Sequence, residues 1–266
     1  MPIVATRRSW GRRKPPVGTP LARAHPLARG LVGCWPLNEG TGTLARDAAG
    51  GNHLTLTAAS LWSASPALGP ALAADSTNYA VTNAARGVGD CSSPFTLAFW
   101  RYRLNASEHL HVFTVGTGSA GVNFEYNNGL LQWDRGSNGA TVLAQSTQVF
   151  DDFTPELNAL TYDGATARIW QSGAFVASGA AGTIDSGTIT RIGLFVNSHA
   201  GFPEVFSGTM RVGGLLFYNR ALAAGELAGI ARDPWGMFAP PSTRRPFASA
   251  AAPAPAAAPA SLLLSL

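Results

Sequence analysis

Ala159-Leu160-Thr161-Tyr162-Asp163-Gly164-Ala165-Thr166-Ala167-Arg168-Ile169-Trp170-Gln171-Ser172-Gly173 is the stretch on which the fold turns. Leu157–Tyr162 and Thr166–Trp170 are short runs of apolar, β-branched and aromatic residues, which suit a pleated, half-buried surface. Asp163-Gly164 separates them, and Asp-Gly between two such runs is a strong hairpin signal because the tight turn needs positive φ. Ser172-Gly173 repeats the device one strand later. The segment reads as three antiparallel strands joined by tight turns.

The same pattern extends outward. Phe95-Thr96-Leu97-Ala98-Phe99-Trp100-Arg101-Tyr102-Arg103 is rich in aromatics, as a sandwich strand should be, and Asn127-Asn128-Gly129 links two further strands. Strands are expected at 31–36, 53–57, 78–82, 95–104, 109–116, 121–126, 129–134, 140–145, 157–162, 166–171, 174–178, 188–196 and 208–218. No strand–helix–strand alternation suggests a parallel sheet, so the fold class reads as all-β, an antiparallel β-sandwich. One short helix is expected around Leu222, Leu227 and Ile230, closed by Asp233-Pro234.

Composition agrees. A chain of 266 residues holds one large domain or two small ones. Charged residues are only 13%, against roughly 25% in ordinary proteins, and 30 glycines and 18 prolines make the chain turn-rich. A helical bundle, a coiled coil and a chain disordered throughout are disfavoured. The net charge of +4 is uneven: seven basic residues and no acid lie in 1–29, whereas 30–241 carries ten bases against all fifteen acids. Residues 1–29, with Pro2, Pro15, Pro16, Pro20 and Pro26, read as a basic N-terminal arm. Residues 30–239 read as the sandwich, and 240–266, running into an Ala/Pro tract, as a C-terminal arm of extended, polyproline-like character. Two cysteines, Cys34 and Cys91, make no disulfide framework, and Cys34 in an apolar run reads as a buried thiol. No apolar signal-peptide stretch or 18-residue apolar span is present, so no membrane partner is expected.

Three stretches resemble the laminin-G-like, or concanavalin A-like, jelly-roll family. Gly30-Leu31-Val32-Gly33-Cys34-Trp35-Pro36-Leu37-Asn38-Glu39-Gly40 with Asp47, Gly50 and His53 is similar to its opening strand and turn. Residues 159–173 resemble its central double hairpin, and Phe206–Leu222 with Glu226 its last core strand and closing helix. Pro26-Leu27-Ala28-Arg29-Gly30-Leu31-Val32 and Asp233-Pro234-Trp235-Gly236-Met237-Phe238 look like jelly-roll proteins of tailed-phage structural regions. That resemblance implies a non-catalytic virion structural protein, made in the host cytoplasm. It would be a capsid decoration or surface protein of a tailed bacteriophage, a homo-oligomer held to a major capsid or other virion protein by its arms. The anchoring residues would be Arg7, Arg8, Arg12, Arg13, Lys14, Arg244 and Arg245. No recognition helix or RNA-binding motif accompanies the basic cluster, so an acidic protein surface is preferred to a nucleic acid.

The alternative is a carbohydrate-binding lectin or adhesin module recognising a host glycan. Glycan binding needs an exposed aromatic platform with polar neighbours, and Tyr126 and Trp133 with Asn128 and Asp134 are the first candidates. Trp170, Tyr102, Asn127 and Asn138 are further ones, although a sandwich also needs large aromatics for its core. Catalysis is not expected. A glycosidase needs two carboxylates at defined spacing, and the closest acids, Asp151-Asp152 with Glu156, read as a loop. The five histidines form no triad, no Gly-x-Ser-x-Gly elbow is present, and His109 with His111 has only a chelating spacing. No cofactor is expected either. The family's acids in the last core strand are replaced by Arg211-Val212-Gly213-Gly214, and calcium at Asp47 with Asn52 competes with a turn cap by Asp47, which is favoured.

Overall fold

The structure, a computed structural model, describes residues 14–74, 77–82, 92–102, 110–117, 120–127, 129–135, 141–147, 154–180, 191–196 and 210–238. The strands in chain order are β1 (Leu31–Trp35), β2 (Leu44–Ala45), β3 (Leu54–Leu56), β4 (Trp62–Ser65), β5 (Gly69–Ala73), β6 (Ala80–Thr82), β7 (Phe95–Tyr102) and β8 (Leu110–Thr117). They continue with β9 (Ala120–Asn127), β10 (Leu130–Arg135), β11 (Thr141–Gln145), β12 (Glu156–Tyr162), β13 (Thr166–Gln171), β14 (Ala174–Ala180), β15 (Arg191–Leu194) and β16 (Arg211–Tyr218), and one helix, α1 (Ala224–Arg232), follows. Every strand expected from the sequence is present, while β2, β4 and β5 are additional.

Two sheets stack. The first runs β14-β13-β12-β7-β16-β5-β4 with β1 also beside β16, and the second runs β11-β10-β9-β8-β15-β6-β3-β2. The pairings are antiparallel, as the sandwich reading requires. The two hairpins that decided the fold close at Tyr162 opposite Ala167 and at Gln171 opposite Ala174. Gly164 takes φ +100° at the first turn, where a side chain would be strained. Asp163 caps that turn, accepting from the N–H groups of Ala165 at 3.0 Å and Thr166 at 2.8 Å.

Alternation on β7 explains how one sheet serves two apolar layers. Phe95, Leu97 and Phe99 face the second sheet, and Ala98 and Trp100 face away from it. Between the sheets, Phe95 meets Trp133 edge-on at 5.7 Å and Phe99 meets Phe124 at 5.1 Å. On the outer side of the first sheet, Leu227 and Ile230 of α1 and the following Trp235, Met237 and Phe238 cover Trp100, Leu216 and Tyr218. The Trp100 and Trp235 rings are 5.2 Å apart. Glu226 fixes the start of α1, accepting from the Ala223 N–H at 2.9 Å and pairing with Arg220 at 2.6 Å.

The N-terminal boundary needs correction. Residues from Lys14 onward pack on the sandwich rather than standing off it as an arm. Leu21 bridges to Phe238, the Ala22 N–H donates to the Met237 carbonyl at 2.9 Å, and the Tyr218 hydroxyl donates to the Leu27 carbonyl at 2.9 Å. Lys14, expected among the anchoring residues, turns inward and donates to the Leu37 carbonyl at 2.9 Å and to the Pro70 carbonyl. Its ammonium is satisfied by this chain's own backbone, so it is not presented to a partner. Arg7, Arg8, Arg12, Arg13, Arg244 and Arg245 lie outside the described residues.

Candidate functional site

The aromatic platform sought in the sequence lies on a different edge from the one first named. In the second hairpin, Trp170 stands opposite Phe175 across β13 and β14, and the two rings meet edge-to-face at 5.7 Å. Trp170 is half-buried, and its indole N–H donates to the Thr161 hydroxyl at 2.9 Å, which locks the ring. Phe175 is 56% exposed, and no other aromatic side chain among the described residues is a large exposed hydrophobic. Arg168 sits two residues before Trp170 on the same strand face, opposite Ser178, and pairs with Asp163 at 2.5 Å. An exposed ring held rigidly by a second ring, with a guanidinium and hydroxyls beside it, can stack on the C–H face of a sugar and bond its hydroxyls. Trp170 was legible as a candidate from sequence. Phe175 was not, because nothing local says that β14 is an edge strand whose side chains face solvent.

Tyr126, Trp133 and Asp134 are corrected as surface candidates. Trp133 is fully buried between Phe95 and Tyr162, whose ring centroid is 5.8 Å away. Tyr126 is fully buried under the Arg101 guanidinium, 5.1 Å from its ring centroid, and its hydroxyl accepts from the Asn158 side chain at 3.1 Å. Both face the core because residues 122, 124 and 126 of β9 and 131 and 133 of β10 share the inward side. Asp134 points the other way but is also fully buried. Asn128 and Asn138 lie outside the described residues, Asn127 is half-buried at the end of β9, and Tyr102 packs at the edge of the outer apolar layer.

The outward side of β9 and β10 carries a polar group that the sequence reading passed over. Asn123 stands opposite Asp134, and Glu125 opposite Gln132. All four are buried. The Gln132 amide donates to Glu125 at 3.0 Å and accepts from the Gln145 amide at 2.8 Å. Burial, then the neighbouring Glu125 carboxylate, pushes the Asp134 carboxyl up to about 8. Two acids nine residues apart gave no signal along one strand. They meet only because the β9–β10 hairpin folds them onto neighbouring positions.

Other groups singled out from sequence are structural. Asp47 accepts four backbone N–H groups, from Cys34 and Ala49 at 2.7 Å and from Gly50 and Asn52 at 2.9 Å. Its oxygens are thereby committed to capping the turn, the reading favoured over calcium. Cys34 is fully buried, and burial followed by the nearby Asp47 charge pushes its thiol up. Glu156 pairs with buried Arg101 at 2.6 Å and accepts from the Gln171 amide at 2.7 Å. Asp151, Asp152, His109 and His199 lie outside the described residues, as does the side chain of His111. A cavity of about 240 Å³ lies beneath Pro15–Pro20, against Asn38, Arg46 and Phe238. Among the described residues no three His, Cys, Asp or Glu side chains converge, and no helix is long and apolar enough to cross a membrane.

No family model matches the chain, and no curated protein is similar to it in sequence. Solved structures are similar in shape. A Trypanosoma rangeli sialidase in complex with sialic acid superposes with a TM-score of 0.59 at 15% identity, covering 80% of this chain and 34% of that one. The botulinum neurotoxin serotype C1 binding domain gives 0.59 at 9% identity, covering 77% of this chain and 52% of that one. The binding domain of botulinum neurotoxin DC, in complex with rat synaptotagmin II, gives 0.58 at 8% identity over the same shares. The chain thus spans about a third to a half of the length of these neighbours. At such identities the likeness shows the fold alone, and that fold is an all-β sandwich of antiparallel sheets.

Proposed function

We propose that this protein is a non-catalytic recognition module that binds carbohydrate through the β13–β14 edge of the sandwich. The observation that carries the reading is the exposed Phe175 ring fixed edge-on by half-buried Trp170. The patch is a single exposed ring with polar neighbours, too small for a stable protein–protein interface, which needs an apolar core of several side chains. A pyranose, with one apolar face and a rim of hydroxyls, matches it. Neighbours of the same fold include a sialidase in complex with sialic acid and a neurotoxin binding domain, which favours recognition over a purely structural role. The virion-attachment expectation depends on terminal arginines outside the described residues, so recognition is the reading preferred here.

The full chain on a glycan array should give selective hits. Phe175→Ala should weaken them about tenfold or more, the loss expected when a central aromatic contact is removed. Because Phe175 is a surface side chain, the same variant should change stability by no more than about 0.5 kcal/mol. Hits that survive Phe175→Ala unchanged, or an array without hits, would sink this assignment.

A further inference from the structure

We propose that the Phe175 edge selects neutral sugars and turns acidic ones away, because Asp163 closes the charge of Arg168 into an ion pair beside the platform. The inference rests on the carbohydrate-binding reading above and names the class of sugar for that same site. Strands β13 and β14 carry one charged residue between them, Arg168. On the same outer side β12 contributes Leu157, Ala159 and Thr161, none of them charged. Arg168 stands opposite Thr161, and Thr161 is the residue whose hydroxyl accepts the Trp170 indole N–H at 2.9 Å. The platform and the guanidinium therefore grow from one patch of the sheet.

The two oxygens of Asp163 have separate duties. Oδ1 accepts from the N–H groups of Ala165 at 3.0 Å and Thr166 at 2.8 Å and so closes the turn, while Oδ2 accepts from Nη1 of Arg168 at 2.5 Å. The bond from Arg168, then that from Thr166, holds the Asp163 carboxyl down at about 2, so it stays ionised in neutral and mildly acidic solution. The guanidinium is 33% exposed and the carboxylate 37%, so a ligand meets the two as a unit. An anion that approaches Arg168 is also repelled by the carboxylate beside it, and the two effects largely cancel.

A neutral sugar needs no net charge. The Arg168 N–H groups not engaged by Asp163, and the exposed Ser178 hydroxyl opposite Arg168, can donate to its hydroxyl oxygens. Without Asp163 the same edge would favour anions, because charge-assisted bonds from a guanidinium to a carboxylate or sulfate are about twice as strong as neutral ones. Asp163 is thus the residue that sets specificity. Its division of labour makes it separable: Asp163→Asn keeps an Oδ1 for the turn and replaces the oxygen that faces Arg168 with an amide that cannot accept.

The test is an array of matched glycans that differ only by a terminal sialic acid or sulfate. It is probed with the full chain, Phe175→Ala, Asp163→Asn and the double variant Asp163→Asn/Arg168→Gln. The unaltered chain should bind the neutral member of each pair about tenfold or more tightly than the acidic one. Its affinity for a neutral hit should change less than about twofold between about 0.05 and about 0.5 M salt, and these two readings need no variant. Asp163→Asn should raise the ratio of acidic to neutral signal about tenfold and make acidic binding salt-sensitive, and adding Arg168→Gln should abolish that gain. Phe175-dependent binding that is equal for the two members, or favours the acidic one, would overturn this inference and leave the carbohydrate reading standing. An unchanged ratio in Asp163→Asn would overturn it too, because the ion pair would then not set the preference. Hits that do not depend on Phe175, or no hits, would overturn both.

Discussion

Lys14 brings a charge into a crowded position, against the Leu37 and Pro70 carbonyls. Burial, partly offset by Glu39, lowers its ammonium from 10.5 to about 7. Folding therefore releases a proton between about pH 7 and about pH 10.5. The resulting stability is fully present above 10.5 and lost as pH falls through about 7. Urea midpoints should rise with pH across that window in the unaltered chain, and the rise should vanish in Lys14→Met. Asp134 has the opposite sign. Its carboxyl is raised from 3.8 to about 8, so the stability it contributes is full below 3.8 and lost as pH rises through about 8. Asp134→Asn should be less stable relative to the parent at about pH 4 than at about pH 8.5, and equal slopes in the two proteins would refute this. These residues mark the limit of local reading. The Asp47 turn was legible because its partners, from Ala49 to Asn52, lie within five residues, apart from Cys34. Lys14 reads as a free base among prolines and arginines, and its carbonyl partners are 23 and 56 residues away.

At the scale of elements, legibility followed side-chain chemistry. The hairpins β12–β13 and β13–β14 and the long strands β7 and β16 carry β-branched and aromatic residues between strong turn signals. The missed strands carry little of this: β2 has two residues, and β4 and β5, Trp62-Ser63-Ala64-Ser65 and Gly69-Pro70-Ala71-Leu72-Ala73, are mostly small residues, with one aromatic, one leucine and a proline. They exist because each finished sheet offers an edge, beside β16 for β5 and then β4, and beside β3 for β2, a tertiary reason invisible in a local window. The Gly213-Gly214 pair in β16 shows the same dependence. Absence of acids was its sequence-level meaning, but its structural one is space. A Cβ on Gly214 would stand 2.7 Å from the Trp235 ring, and one on Gly213 would stand 2.8 Å from Leu68. Gly214→Ala should therefore displace Trp235 and cost about 1–3 kcal/mol, the usual penalty of overpacking. Trp235→Ala should cost about 3–5 kcal/mol by emptying the space above Trp100. Chemical denaturation measures both costs, and indole fluorescence distinguishes displacement of Trp235 from its loss.

For the whole molecule, the apolar layer outside the first sheet sets the domain limits. That layer is closed from both ends of the chain, by Leu21 and Leu27 before β1 and by Trp235, Met237 and Phe238 after α1. The sequence placed the domain boundary near residue 30 because Arg/Pro-rich segments lack helix or strand periodicity. Periodicity, however, does not register a segment held by one β-bridge, a short 3-10 turn and a half-buried lysine. The segment 14–29 belongs to the body, and four of the seven bases before residue 30, Arg7, Arg8, Arg12 and Arg13, precede it in the sequence. A chain beginning at residue 14 should consequently melt within a degree or two of the full protein. One beginning at residue 30 loses Leu21, Leu27 and Ala28 from the outer layer, the Leu27 carbonyl from Tyr218 and the Lys14 contacts. Removing two large apolar side chains from a packed layer costs several kcal/mol, at ~1.5–3 kcal/mol for each fully buried residue. At ~2–4 °C per kcal/mol for a body of this size, Tm should fall by roughly 10 °C. Equal melting temperatures for the two truncations would return residues 14–29 to the arm. A large drop for the chain beginning at residue 14 would instead assign residues 1–13 a part in the fold.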